Sequence, residues 1–445
     1  MPTSPLWPDP TPEPPSPKRE GLLIGAAVLL SALLVLGGLF LWTRRSSNET
    51  DAASPATASG QADEPSGPST DPTDSSSTTD LPDEEPEVDD PGQAPAPAPP
   101  SVTNVECPNG VPDEVCDAAA FVEDFRGRPF KEFPAVELVD DDAFAERLLR
   151  DFDDAREEID VTTEVWRSLG FIESDVDLFD ALRVSYEIGA VGVYFTDTKE
   201  LYIQGTDLDL YAELVIVHEL VHAHDDQWLD LDREEYDDAD DEISYGFSAM
   251  IEGNARRVEN AWREQLSAED KEALSVLEFS VLSPEEIEIY LSLPQLLLQF
   301  QLSPYQDGLD LVSALSAAGG EQAIDDAFAQ PPTTSEQVLH PELFAAEEAA
   351  VVVALPPSSG EVIDSGLVGE LAFDLWLGDS VGDGWGGDSY VTWTTEAGAC
   401  TRIDVIGDTQ ADTDEFVAAA DTWSRSAQGR SVEVVDDHVR ITGCY

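Results

Sequence analysis

The sequence predicts a mixed α+β protein: a mainly helical domain with an early edge β-hairpin, then a C-terminal α/β subdomain, all carried behind a membrane helix and a disordered stalk. Three observations lead there. Apolar residues recur at helical spacing through most of the stretch from about residue 143 to 344. Short β-branched and aromatic runs bracket Thr196–Glu200 and return after Glu361. Composition breaks sharply before the globular part, which begins near Cys107.

The elements follow in chain order. Residues 1–20 are Pro-rich and polar and read as a short cytoplasmic tail. Gly21–Trp42 carries no charge, and its 22 residues at helical rise span roughly 33 Å, so residues 21–43 read as a transmembrane helix. No small-residue cleavage site follows it, which disfavours a signal peptide. Lys18 and Arg19 on one side balance Arg44 and Arg45 on the other. The cysteines and the acidic mass place the globular part outside the cell. Residues 44–105 are Ser, Thr, Pro, Asp and Glu with few large apolar side chains, which cannot offset the entropy of ordering, and read as a disordered stalk. Residues 106–355 form the main domain and 356–445 the smaller one.

Within the main domain, Ala143–Ile159 predicts one helix, and Val191–Tyr194 with Leu201–Ile203 predicts a hairpin, of which Leu201–Gly205 is the edge strand open to an extended peptide. Tyr211–Leu229 predicts an uninterrupted helix, followed by an acidic loop near 230–241 and a second helix from Glu242 to Gln265. Pro284–Gln301 predicts a helix split at Pro294, and Pro304–Phe328 a further one. After Glu361 the pattern predicts short strands, a helix near Thr413–Ser424 and a final strand Val432–Val435.

Charge excludes one class of partner. The chain has 93 acidic and 22 basic residues, a net charge of −71, so it lacks the basic face that nucleic acid requires. The acidic run Asp225–Glu242 has no EF-hand spacing. Four cysteines fall in two local sets, with no metal-binding Cys pattern, and predict the disulfides Cys107–Cys116 and Cys400–Cys444 of an oxidising compartment.

The chemistry concentrates at His218-Glu219-Leu220-Val221-His222. Residues four apart share a helix face, so both imidazoles reach one ion. Glu219, one residue on, can take a proton from a water that the ion acidifies. No histidine follows at the spacing that would supply a third imidazole. A carboxylate of the next helix is expected instead, from Glu235, Glu242, Glu252 and Glu259. Glu252 is chosen because it lies beside that helix's apolar stripe and precedes Gly253, where another backbone can approach. His224 lies about 200° around the helix from His222 and should face away.

With HELVHAHDDQ, MIEGNA, SPYQDG, PPTTSEQVLHP and GWGGD, the chain from about Gly170 onward resembles a family of bacterial, largely actinobacterial, zincin-like metallopeptidases of the gluzincin type, like thermolysin in active-site plan. The resemblance implies a zincin-like domain and a membrane-anchored, extracellular, Zn2+-dependent peptidase acting on peptides or proteins. It implies His218, His222 and Glu252 as zinc ligands and Glu219 as the base, and matches Gln227 to a recurrent Gln. His340, in SEQVLHP, is the candidate for stabilising the oxyanion, with Tyr305 and Tyr194 as rivals. Two other readings stand beside this one. One is a non-catalytic zincin-like surface binding module. The other is an acidic cation-binding surface protein.

Overall fold

The structure, a computed structural model, describes residues 104–445 other than 207, 238–240 and 379. The expected membrane helix and nearly all of the expected stalk lie outside the described residues. Among the described residues no helix is long and apolar enough to cross a membrane.

The described residues open with α1 (Asp113–Arg126), clipped to the preceding turn by the Cys107–Cys116 disulfide. Then come β1 (Ala135–Val139), α2 (Asp141–Leu148), α3 (Arg156–Leu169) and α4 (Leu178–Glu187). The single helix expected over Ala143–Ile159 is therefore broken. α2 ends at Leu148, and a 3₁₀ turn, Phe152–Ala155, buries Phe152 before α3 starts. The hairpin forms as β2 (Gly192–Phe195) and β3 (Glu200–Gln204). β1 adds parallel to β3, giving the order β1-β3-β2. This corrects the expected edge: β3, which holds most of Leu201–Gly205, is paired on both sides, and the hairpin strand with an open side is β2. Along β2 the odd positions bond to β3, as Val191 O to Gln204 N and Phe195 O to Lys199 N do, so the Tyr194 N–H points outward.

Next come α5 (Leu210–Leu229), the short α6 (Glu234–Asp237) and the 25-residue α7 (Asp241–Gln265). α5 starts where Asp209 accepts from the N–H groups of Tyr211 and Ala212. It is apolar nearly all round because α1, β2, β3, α7 and the next helix, α8 (Ala268–Ser280), pack on its several sides. After α8, the expected split at Pro294 separates α9 (Pro284–Ser292) from α10 (Gln295–Ala329). α10 runs through Pro304 instead of starting there, and its one non-helical residue is Gly320. Two short helices, α11 (Ser335–Leu339) and α12 (Pro341–Ala345), end this part.

The C-terminal part is a five-stranded antiparallel sheet with two helices, α+β like the rest. Its elements are β4 (Val362–Gly366), α13 (Gly369–Leu377), β5 (Trp385–Thr394), β6 (Ala399–Gly407), α14 (Gln410–Ser424), β7 (Ser431–Val435) and β8 (His438–Cys444). The strand order is β4-β5-β6-β8-β7. Val432–Val435 is thus an edge strand and not the last one; β8 follows it into the sheet's interior. Cys400 and Cys444 are register partners and form the second expected disulfide. The sheet shares its core with Val165 and Leu169 of α3, beside Phe373, Trp385 and Phe416.

α7 and α10 meet backbone to backbone. A Cβ on Gly253 would lie 2.2 Å from the Gly308 carbonyl, and one on Gly308 would lie 2.2 Å from the Ala249 carbonyl oxygen. Each glycine lets the other helix's backbone touch its own. Gly253→Ala should therefore cost about 1–3 kcal/mol or more, since backbone rather than a flexible side chain must move. Thermal unfolding of the full chain would show a lower midpoint. An unchanged midpoint would contradict the close contact.

Candidate metal centre

α5 presents His218, Glu219 and His222 on one side, and their ligand atoms all lie within 4.8 Å of one another. All three are buried. The imidazoles meet edge to face, with ring centroids 4.7 Å apart. α7 brings a fourth group. Glu252 Oε2 is 3.2 Å from His218 Nε2 and 3.6 Å from His222 Nε2. One carboxylate oxygen thus faces both ring nitrogens. His222 Nε2 is buried and makes no hydrogen bond among the described residues. An orphaned imidazole nitrogen aimed at a second imidazole and a carboxylate suits a shared cation.

The surrounding shell orients these groups. Glu259, two turns along α7 from Glu252, binds His218 Nδ1 at 3.1 Å through Oε2. That contact leaves Nε2 to face Glu252, and carboxylates behind ligand histidines commonly set the tautomer in this way. Burial would raise the Glu259 carboxyl, but Arg256 and His218 pull it down to about 2. Glu219 Oε2 accepts the outward Tyr194 N–H at 2.9 Å, so the open edge of β2 holds this carboxylate. Burial pushes Glu219 up to about 7, against the pull of His222 and His218 and of that N–H. Burial would lower His218, yet Glu252 and Glu259 outweigh it and raise it to about 10. The cluster therefore carries more negative than positive groups and draws in positive charge, a proton on His218 or a metal ion.

Four of the five sequence-predicted site residues come together: His218, Glu219, His222 and Glu252. His340 is placed in a different cluster, with Glu370 and Asp383, and its Nε2 lies 2.8 Å from Glu370 Oε1. Of its rivals, Tyr194 donates its hydroxyl to Asp226 Oδ2 at 2.6 Å and meets Glu219 only through its backbone. Tyr305 stays beside the centre, its ring stacked on His218 with centroids 6.0 Å apart. The remaining acidic candidates are elsewhere: Glu235 is exposed, and Glu242 accepts from the Ser335 N–H and hydroxyl. His224 faces away as expected, with Nε2 on the Arg128 carbonyl and its ring edge-on to Phe130.

Residues not singled out in the sequence fix the register of the two helices. Asp225 is buried and receives Arg126 of α1 and the Asn254 amide of α7. Asn254 adjoins Gly253 and Glu252, so one short segment supplies a metal-facing carboxylate, a helix contact and a tie to α5. Gln227 acts similarly at the surface, accepting from the backbone N–H groups of Lys131 and Glu132. A mostly apolar cleft of about 280 Å³ leads from Glu252, lined by Trp166, Phe300, Tyr305 and Leu371 among others. Comparison of the chain with protein-family models, with curated proteins and with solved structures finds no match.

Burial would raise the Asp225 carboxyl, but Arg126 and His224 hold it well below the usual carboxylate range. Its ionisation therefore adds stability that is complete above the unfolded pKa, about 3.9, and drains away as pH falls below it. Asp225→Asn should cost stability at neutral pH, toward the lower end of about 3–5 kcal/mol because Glu321 and Asp325 still pair with Arg126. Denaturant unfolding should show a constant gap from pH 7 to about 5 that narrows below about pH 4. A gap that widens on acidification would contradict this assignment.

Proposed function

We propose that this chain is a zinc-dependent metallopeptidase with a zincin-like active-site domain, anchored in a membrane and facing an oxidising exterior. The observation that carries the reading is the position of Glu252 Oε2, 3.2 and 3.6 Å from the two imidazole nitrogens of the HExxH helix. Two histidines and one carboxylate are a donor set suited to a catalytic zinc that keeps a position open. His218, His222 and Glu252 would hold the ion, which supplies a Lewis acid that acidifies an attacking water. Glu219 then acts through Oε1, because the Tyr194 N–H occupies Oε2. It takes the proton from that water and returns it to the leaving amine. The raised affinity of buried Glu219 for a proton suits such a shuttle.

The apolar cleft supports peptide side chains as its occupants, and its aromatic walls favour bulky apolar ones. Glu158, Asp241 and Glu242 in its lining disfavour acidic residues there. The two disulfides support the exterior location. A non-catalytic binding module would give Glu219 no reason to be buried beside the imidazoles with one oxygen pinned, so the enzyme reading is preferred.

The test is cleavage of a diverse peptide library by the full chain beside Glu219→Gln, with bound zinc measured in both. The wild type should cut next to bulky apolar residues. Glu219→Gln should keep its zinc and lose at least about 100-fold in kcat/KM, the scale of a lost general base. A folded, zinc-loaded wild type that cuts nothing would overturn the proposal, as would a variant that cuts equally well.

A further inference from the structure

The cluster around His340 has no part in the centre on α5, and it has the features of a site of its own. Three separate segments meet in it. His340 joins α11 to α12, Glu370 lies in the first turn of α13, and Asp383 lies in the loop between α13 and β5. One ligand atom from each falls within 4.8 Å of the others.

Glu370 is the telling residue. Its exposure is 1%, so its carboxylate is inside the protein. One oxygen meets His340 Nε2 at 2.8 Å, while the other, Oε2, is buried without a hydrogen-bond partner among the described residues. Four further acidic groups act on it from close by: Asp374, Glu336, Asp383 and Asp408. A His–Glu ion pair alone would leave that second oxygen unsatisfied and would not gather a further carboxylate. A bound cation accounts for both. The loop is also held in place for the purpose. The Gly382 N–H donates to Asp374 Oδ1 at 2.6 Å, and a Cβ on Gly382 would lie 2.6 Å from the Glu370 carbonyl oxygen. Asp383, next to this pressed glycine, is thereby kept over the start of α13.

We propose that His340, Glu370 and Asp383 form a second metal site, for a divalent first-row ion of the Zn2+ or Mn2+ kind, which fastens the end of the helical part to the C-terminal sheet. One imidazole and two carboxylates are a mixed nitrogen and oxygen set that suits these ions. Ca2+ prefers six to eight oxygens, and Mg2+ keeps its waters, so neither matches a histidine-containing trio. The inference does not rest on the peptidase reading.

The test strips the full chain with a chelator, dialyses it against Zn2+ or Mn2+ and counts bound ions while following the melting temperature. The wild type should hold two ions and Asp383→Asn one, with the smaller metal-induced rise in melting temperature. Asp383 is exposed, so that variant should fold. Glu370→Gln should also lose one ion, yet match or exceed the wild type's metal-free stability, because it removes a buried carboxylate. In a His218→Ala/His222→Ala chain the count should be one, falling to none with Asp383→Asn; this separates the site from the centre on α5. An Asp383→Asn or Glu370→Gln chain that keeps two ions, or a His218→Ala/His222→Ala chain that binds none, overturns the proposal.

Discussion

Two imidazoles and three carboxylates share the interior between α5 and α7, and a fold that buries so much polar chemistry must hold it in register. Glu252 and Glu259 meet His218 from points two turns apart on one helix, and Glu252 also approaches His222. Sliding α7 by one turn, about 5.4 Å, would remove every one of these contacts and strip His218, His222 and Glu252 of these buried partners. The position of α7 along α5 is thus the constraint on which the centre depends.

Three devices set that position. Asn254 reaches Asp225 on α5, and Arg126 of α1 closes the same carboxylate from the other side. Gly253 and Gly308 let α10 press its backbone onto α7, so α7 is gripped between two helices. The edge strand β2 then supplies the Tyr194 N–H to Glu219, which ties the sheet to the same helix. The groups that would do chemistry and the groups that hold the fold together are neighbours in sequence, most densely in Glu252-Gly253-Asn254.

Much of the centre is legible in the sequence because helical periodicity is local. His218, Glu219 and His222 are placed by spacing on one helix, and Glu252 and Glu259 by the stripe of the next. The Gly253 contact is legible for the same reason, since a glycine beside a buried stripe marks a close approach. What is not legible depends on pairing across distance. β1 adds parallel to β3 from far upstream, and this turns the expected edge strand into a central one. Pro304 stays inside α10 although proline usually opens or breaks a helix. His340 looks like an oxyanion donor for the centre because it sits in a patterned motif, yet its neighbours Glu370 and Asp383 come from the following subdomain. Helix α13, which carries Glu370, escapes notice because it is only nine residues long.

The central claim is that two imidazoles of α5 and one carboxylate of α7 bind a single ion. X-ray absorption at the zinc edge, on the Asp383→Asn chain loaded with one equivalent of zinc, addresses it most directly. The account predicts two imidazole nitrogens at about 2.0–2.1 Å with a carboxylate oxygen at about 2.0–2.2 Å. A zinc shell with one imidazole or none would contradict it.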